Sequence, residues 1–376
     1  MQLNQPLNRE QLECIIEGAA FLGSGGGGPL SLARPLIDYM ANQSLWPTVA
    51  SFDQIKTGPV GTVAGIGSPA AASGGDMGFT RAPVRMVRLM EQLTGSSFRC
   101  LIPGETGPMN SLIPLLAGAQ RGIPILDADG AGRAMSTLGM STFNETAPVH
   151  PFVIGNEASE GETPITAQLT LNDPSQADAM SRSIVSSPAF DSAGAFSTWP
   201  STVEALNKVV VHGSLSLCFS IGTILRQSQA AGIDPLPALA EQPELKPRLR
   251  VLFSGPITGV DVDTTGGFDR MTVRLGKKPS QLTIMGLNEN MIAWSDSASS
   301  PVCMGPDSIC YVTTDGHAFS NASVEDIMKQ GKTVHVIGLV ADQALKKPSI
   351  LRAYATVLAQ LGYAGCYQPL SAEQGA

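Results

Sequence analysis

Two sets of carboxylates stand just past two apolar runs. In "CLIPGETGPMNSLIPLLAGAQRGIPILDADGAGRA", residues 100–134, Glu105 follows the first run, and Asp127 and Asp129 follow the second. A helical pattern at 111–120 separates them. If the two runs are parallel neighbours in one sheet, their carboxyl ends open onto one edge. In open α/β sheets that edge is where ligands bind. Glu105, Asp127 and Asp129 would then converge without being close in sequence. The intervening helix would begin at the same edge, capped by Asn110 or Ser111, with its positive dipole end in the crevice. Arg133 follows the second run and brings a planar, forked donor. In such a crevice Glu105 or Asp127 is the candidate base, Arg133 the electrostatic stabiliser, and Asn110 and Asp129 ligand-binding groups. The competing reading makes Glu105 and Asp129 loop caps and Asp127 an Asx-turn residue.

Three further stretches carry candidate chemistry. "LGSGGGGP" sets Gly25, Gly26, Gly27 and Gly28 in a row, where no Cβ blocks close approach and the amides could form an anion-binding nest. No GK[ST] follows, and a helical pattern rather than a strand precedes, so neither a Walker A loop nor a dinucleotide fingerprint is present. Structural turn and ligand loop both remain open. "LNENMIAW" holds Glu289 between Asn288 and Asn290, as a turn or as part of a site. "GPDSI" places Asp307 before an apolar strand, again as strand-entry turn or site residue. The six cysteines are scattered without a CxxC, and the four histidines are isolated. Buried reduced thiols are expected, and neither a metal site nor a cofactor is signalled. Cys100 sits within a strand rather than at its end, which makes it a weak candidate nucleophile.

The elements that must hold these residues fit an α/β reading. "LNREQLECIIEGAAFLG" has helical periodicity, with Asn8 as N-cap and Gln11 completing a capping box. "LSLARPLIDYM" resumes a helix, with Pro35 suggesting an interruption or a late start. A short strand, 60–66, precedes a Gly/Ser/Ala loop; "RAPVRMVRLMEQLTG" reads as an amphipathic helix ended by Gly95. Strand 98–102, helix 111–120 and strand 123–126 form a βαβ unit with a crossover long enough for parallel pairing. "LSLCFSIGTILRQSQAAG" is helical. After Pro247 the pattern becomes short alternating strands, the first two around the turn "TTGG".

With 376 residues the chain is too long for one ordinary core. The expectation is an N-terminal α/β domain over 1–170, carrying the glycine loop and acidic crevice, and a helix-plus-β, β-rich C-terminal domain over 171–376. A net charge of −8 without basic clusters argues against nucleic acid or an anionic membrane as partner. The longest apolar stretch, "VVVHGSLSLCFSIGTIL", is broken by His212, Gly213 and serines, a poor membrane span. The polar start "MQLNQPLNREQLE" lacks the apolar core of a signal peptide, so a cytoplasmic location is expected.

Taken together, "PGETGPMNSLIPLLAGAQRGIPILDADGAGRA", "GAAFLGSGGGG", "LNENMIAW" and "GPDSICYVTTDG" resemble the DUF917 family, the S-methyl-thiohydantoin desulfurases, over nearly the whole chain and in the expected order. The resemblance implies a two-part fold, a link to hydantoin-type metabolism, and removal of the sulfur group from C2 of a five-membered S-methyl-thiohydantoin ring. It also favours ligand contact for Gly25 to Gly28, Asn288 and Glu289. The chain departs from the family pattern in four places. Pro108 stands where Gly is usual, Ser136 where Pro is usual, Gly28 runs straight into Pro29 without an acidic residue or Asn between them, and "PDSI" replaces the more usual Pro-Asp-Leu-Ile. Three readings therefore stay open: a hydrolase of the ring, a non-catalytic protein that binds a small cyclic imide, and an accessory subunit of a hydantoinase-type complex. A homo-oligomer is compatible with each.

Overall fold

The computed structural model describes residues 1–67, 79–158, 161–190, 193–265 and 268–371. Two seven-stranded sheets organise the chain. The first takes its parallel half from β1 (Val49–Ala50), β2 (Pro59–Gly67), β3 (Cys100–Ile102) and β4 (Ile125–Leu126). A short ribbon pairs β5 (Ala128–Asp129) antiparallel with a strand further on. The first sheet's antiparallel half is β6 (Phe152–Gly155), β7 (Thr166–Leu169) and β8 (Ala193–Thr202), giving the order β1-β4-β3-β2-β8-β6-β7. The partner of β5 is β9 (Val211–His212). Strand β8 lies beyond residue 170 and still pairs with β2 at the middle of this sheet.

The expected βαβ unit is present, with Leu101 registered against Ile125 in parallel. Its helix runs Pro108–Arg121, three residues earlier than the pattern suggested. Pro108 occupies the first turn, where its missing N–H leaves no bond unmade and its fixed φ suits a helix start. Helix Arg9–Leu22 carries the complete Asn8/Gln11 capping box, and Ala82–Thr94 ends at Gly95 in the left-handed region. Pro35 neither breaks nor delays its helix, which runs Leu30–Asn42. Proline in the second turn removes only one intrahelical bond, and the buried face of Ala33, Leu36, Ile37 and Met40 compensates. Helices Arg9–Leu22 and Ser214–Ala231 pack very closely at two glycines. A Cβ on Gly18 would lie 1.8 Å from Cys218 O, and one on Gly222 1.8 Å from Cys14 O, so no side chain fits at this crossing.

The second sheet is wholly antiparallel. Its strands are β10 (Leu249–Thr265), β11 (Phe268–Leu275), β12 (Leu282–Leu287), β13 (Glu289–Ser295), β14 (Cys303–Met304), β15 (Ser308–Thr313) and β16 (Thr333–Leu339). They lie in the order β14-β13-β12-β11-β10-β16-β15. The expected short strand before the turn is instead one long strand, β10, whose first half pairs with β16 and second half with β11. Register shifts at Val251/Phe253 and Ile257/Gly259, flanking Pro256, let one strand serve both neighbours. The tip of the "TTGG" turn and the Gly/Ser/Ala loop after β2 lie outside the described residues. The molecule is thus mixed α/β: a sheet with a parallel half, and a β-rich antiparallel sheet toward the C-terminus.

Candidate active site

The glycine run is the seam between the two sheets. Ser24 has φ +52°, and Gly25, Gly27 and Gly28 have φ between +76° and +87°, all in the left-handed region. Gly27 O accepts from Met109 N at 2.9 Å, which binds the loop to the start of helix Pro108–Arg121. On the other side Gly25 O accepts from Asn321 N and Ser24 O from Asn290 N, both at 2.8 Å. The Ser24 hydroxyl accepts from Ile309 N at 2.9 Å. Close approach also demands glycine. A Cβ on Gly27 would lie 2.3 Å from Gly107 Cα, and one on Gly26 would lie 2.3 Å from Glu289 Cγ.

Beside this loop lies a cavity of about 690 Å³. Gly25 to Gly28 form one wall; the carboxyl end of β2 and Glu105, just past β3, form another. Asn288, Glu289 and Asn321 face them from the second sheet's side, and Asn110 contributes from the crossover helix. The volume suits a small ring with a modest substituent.

Two buried carboxyl groups dominate its electrostatics. Glu105 accepts 2.6 Å bonds on both oxygens, from Asn110 Nδ2 and from Met135 N. Asn110 is held in turn by Gly65 N, which donates to its Oδ1 at 2.9 Å. This is why Asn110 caps nothing: the helix starts at Pro108, which puts Asn110 inside the first turn. Glu289 leads β13 just after Asn288, which has φ +63°. Its Oε2 lies 2.6 Å from the Ser136 hydroxyl. Burial first, and the Glu289 carboxyl second, push Glu105 up to about 8. Burial also raises Glu289, against the opposing pull of a hydrogen bond from the Ser136 hydroxyl and of the Arg133 and Arg182 guanidinium groups. Two interacting carboxyls in one dry site cannot both ionise cheaply, so the pair favours keeping a proton between them.

Four of the residues singled out from sequence are engaged elsewhere. Asp127 stands at the same sheet edge as Glu105, but its carboxylate accepts from Ser216 N at 3.0 Å and from the Ser216 hydroxyl. It caps helix Ser214–Ala231, whose own N-cap is a glycine without a side chain to do so. Asp129 is a loop cap, accepting from Gly132 N at 2.7 Å, Ala131 N at 3.3 Å and Thr106 Oγ1. Burial raises it to about 7. Arg133, 1% exposed, donates to Asp307 O at 2.8 Å, Asn290 O at 2.7 Å and Ala134 O at 3.1 Å. It clamps the second sheet to the first rather than presenting its fork to the cavity. Asp307 accepts from Ala341 N, Leu370 N and Tyr367 OH at 2.7–3.0 Å, fastening the C-terminal segment.

Sequence reading passed over Arg182, Asp178 and Asn321, which also line the cavity. Arg182 stacks 3.8 Å over the Phe268 ring, donates to Ser136 O at 2.7 Å and pairs with Asp178 at 3.1 Å. Arg182 and Asp178, with Thr137, also line a neighbouring cavity of about 710 Å³. Their stretch carries no motif, so only the fold could reveal them. Five cysteines are buried, while Cys366 is exposed on the C-terminal segment, against expectation. Burial pushes Cys100 up to about 12, unfavourable for a thiolate nucleophile. Among the described residues no cluster of three or more His, Cys, Asp or Glu could hold a metal ion, and no helix is long and apolar enough to cross a membrane.

Comparison with known families places two adjacent matches on the chain. Residues 10–163 match the S-Me-THD-like N-terminal domain, and residues 172–369 match the S-Me-THD-like C-terminal domain. A crystal structure of a protein from Chromobacterium violaceum is 28% identical, with a TM-score of 0.82 over 98% of this chain and 100% of that one. No curated protein matches.

Proposed function

The chain belongs to the S-Me-THD-like family, and from that premise we propose that it hydrolyses an S-methyl-thiohydantoin-type ring at C2, releasing methanethiol. The observation that carries this reading is the Glu105–Glu289 pair in the wall of a cavity of ring size, one carboxyl from each sheet's side, with burial raising both and each opposing ionisation of the other.

The chemistry asks for a base, an acid and a way to orient the ring. C2 of such a ring is bonded to sulfur and double-bonded to nitrogen, an amidine-like electrophile. The ionised member of the pair takes a proton from water as the water oxygen bonds to C2. The C=N π electrons move to the ring nitrogen, which takes its proton from the protonated member. In the collapse, the new hydroxyl gives its proton back to that second carboxylate and the C–O bond becomes C=O. The C–S bond breaks with its electron pair on sulfur, and methanethiolate takes up the proton held by the first carboxyl. The products are the hydantoin and methanethiol, and both carboxyls return to their starting states. A thiolate leaves readily, so one shared proton suffices.

Asn110 holds Glu105 in place through its Nδ2 bond and is itself fixed by Gly65 N. The apolar wall supplied by Met109, Ile113, Phe196 and Trp199 would keep bulk water from the reacting carbon.

Thiol release tests the reading. Wild-type protein should liberate methanethiol from S-methyl-thiohydantoins of several ring substituents, and Glu105→Gln should slow it by ~10²–10⁴-fold, the usual worth of a positioned acid or base. Binding of the ring to wild-type protein with no release from any substituent would overturn the hydrolytic reading.

A further inference from the structure

The Ser136 hydroxyl makes two short contacts, and their chemistry is not symmetrical. Ser136 Oγ lies 2.6 Å from Leu287 O and 2.6 Å from Glu289 Oε2. A serine hydroxyl has one proton to donate, and a peptide carbonyl can only accept. Dividing that proton between two acceptors would lengthen both arms, whereas 2.6 Å is at the short end for one undivided O–H···O bond. Both contacts are hydrogen bonds if Ser136 donates to Leu287 O and Glu289 donates to Ser136. With Glu289 ionised, one of the two would be an oxygen–oxygen contact without a proton. Glu105 shows the opposite pattern: each of its oxygens accepts an N–H, from Asn110 and from Met135, as a carboxylate requires.

We propose that Ser136 is a positioning residue that seats the pair's proton on Glu289 Oε2, which makes Glu289 the general acid and Glu105 the base. The assignment deepens the hydrolytic reading and rests on it only for the words acid and base; the location of the proton stands on the hydrogen bonds alone. Several charged or titratable groups face the pair. Arg133 and Arg182 favour an ionised Glu289, and Asp178 pairs with Arg182. Asp129 acts on Glu105 from the end of β5, and the buried Tyr354 phenol feels both glutamates. As the Ser136 hydroxyl would if it donated to the carboxylate, the two guanidinium groups work against a proton on Glu289. Both are engaged by nearer partners, Arg133 by backbone carbonyls and Arg182 by Asp178 and Ser136 O.

The sign of one measurement decides between the two arrangements. A hydroxyl that accepts from a protonated carboxyl stabilises the neutral form, so Ser136→Ala should lower the apparent pKa of Glu289 by about half to one pH unit. A hydroxyl that donates to an ionised carboxylate would do the reverse, and its loss would raise that pKa. The protonated carboxyl stretch is read by infrared difference spectroscopy across a pH series, in wild type, Ser136→Ala, Glu289→Gln and Glu105→Gln. At pH 7 the band should vanish in Glu289→Gln and persist in Glu105→Gln, and Ser136→Ala should move its titration to lower pH. The acid limb of the thiol-release profile should move with it, and Ser136→Thr should restore both. A band lost in Glu105→Gln but kept in Glu289→Gln, or a titration moved upward in Ser136→Ala, would overturn the assignment. The infrared result stands even if no ring is turned over, which separates failure of this assignment from failure of the hydrolytic reading.

Discussion

Gly26 offers the sharpest single perturbation of the site. It is the member of the glycine run whose φ is outside the left-handed region, so alanine is acceptable to its backbone. The nearest obstacle is Glu289. The new Cβ would stand 2.3 Å from Glu289 Cγ and 2.4 Å from Oε1. An ordinary carbon–carbon contact is ~3.5 Å, so Cγ must retreat by about an ångström. Because Cγ lies mid-chain, the carboxyl moves with it and leaves the Ser136 hydroxyl. Overpacking of this kind costs about 1–3 kcal/mol of stability, which a chain of this size should survive. Losing a positioned acid costs ~10²–10⁴-fold in turnover. Gly26→Ala should therefore melt cooperatively at a somewhat lower temperature and release thiol at least ~100-fold more slowly. The double variant with Glu289→Gln should be scarcely slower than Glu289→Gln alone, since both changes remove one function. Wild-type turnover in Gly26→Ala, or fully additive losses in the double variant, would show that Glu289 does not act from this position.

Other perturbations separate structure from chemistry. Asp127→Asn should cost ~1 kcal/mol, as for a lost helix cap, and leave thiol release unchanged. Arg133→Met should destabilise by several kcal/mol in denaturant titrations, because four backbone carbonyls lose a donor at about 1–3 kcal/mol each; Arg133→Lys should recover only part, since one ammonium cannot span them. Stability should also fall as pH rises. The coupled Glu105–Glu289 pair keeps its proton up to about 8 in the folded chain, where a glutamate in the unfolded chain loses it at about 4.5, and Asp129 keeps its own to about 7 against 3.8. The folded state therefore binds more protons between these limits, and the stability that this confers is complete below the unfolded values and lost through the folded ones. Thermal melts from pH 4 to 9 should show that decline, and Glu289→Gln, which removes the seat of the pair's proton, should flatten its upper part.

Local signals carried most of the fold. Asn8 with Gln11, Gly95 after an amphipathic run, and two apolar strands around a crossover each depend on residues within a few turns, and each element formed near its expected place. The sequence was less informative where tertiary pairing decides the outcome. Whether β10 would break near Pro256 or bend through it depends on having β16 and β11 on hand as partners, and these come from residues 333–339 and 268–275. Pro35 misled for a related reason: its local cost is one hydrogen bond, which the buried face of the helix outweighs.

The acidic residues show where such reading stops. Parallel pairing of β3 and β4 brings Glu105 and Asp127 to one edge, as their spacing implied, but an edge does not say what lies above each strand. Over Asp127 lies the start of a helix at 214, whose amides and Ser216 claim the carboxylate. Over Glu105 lies open cavity, and across it Glu289, 184 positions further along. No pattern in the chain announces that distance being closed. What does register is the requirement it places on a third segment. The loop between the two glutamates passes so close to Gly107 on one side and Glu289 on the other that a Cβ at Gly27 or Gly26 would stand 2.3 Å from Gly107 Cα or Glu289 Cγ. Four consecutive glycines looked equally like a turn or a ligand loop because the constraint that selects them is the approach of two distant residues. Their presence is therefore evidence, within the sequence itself, for a crowded meeting point, and Glu289 is the carboxyl that the crowding brings there.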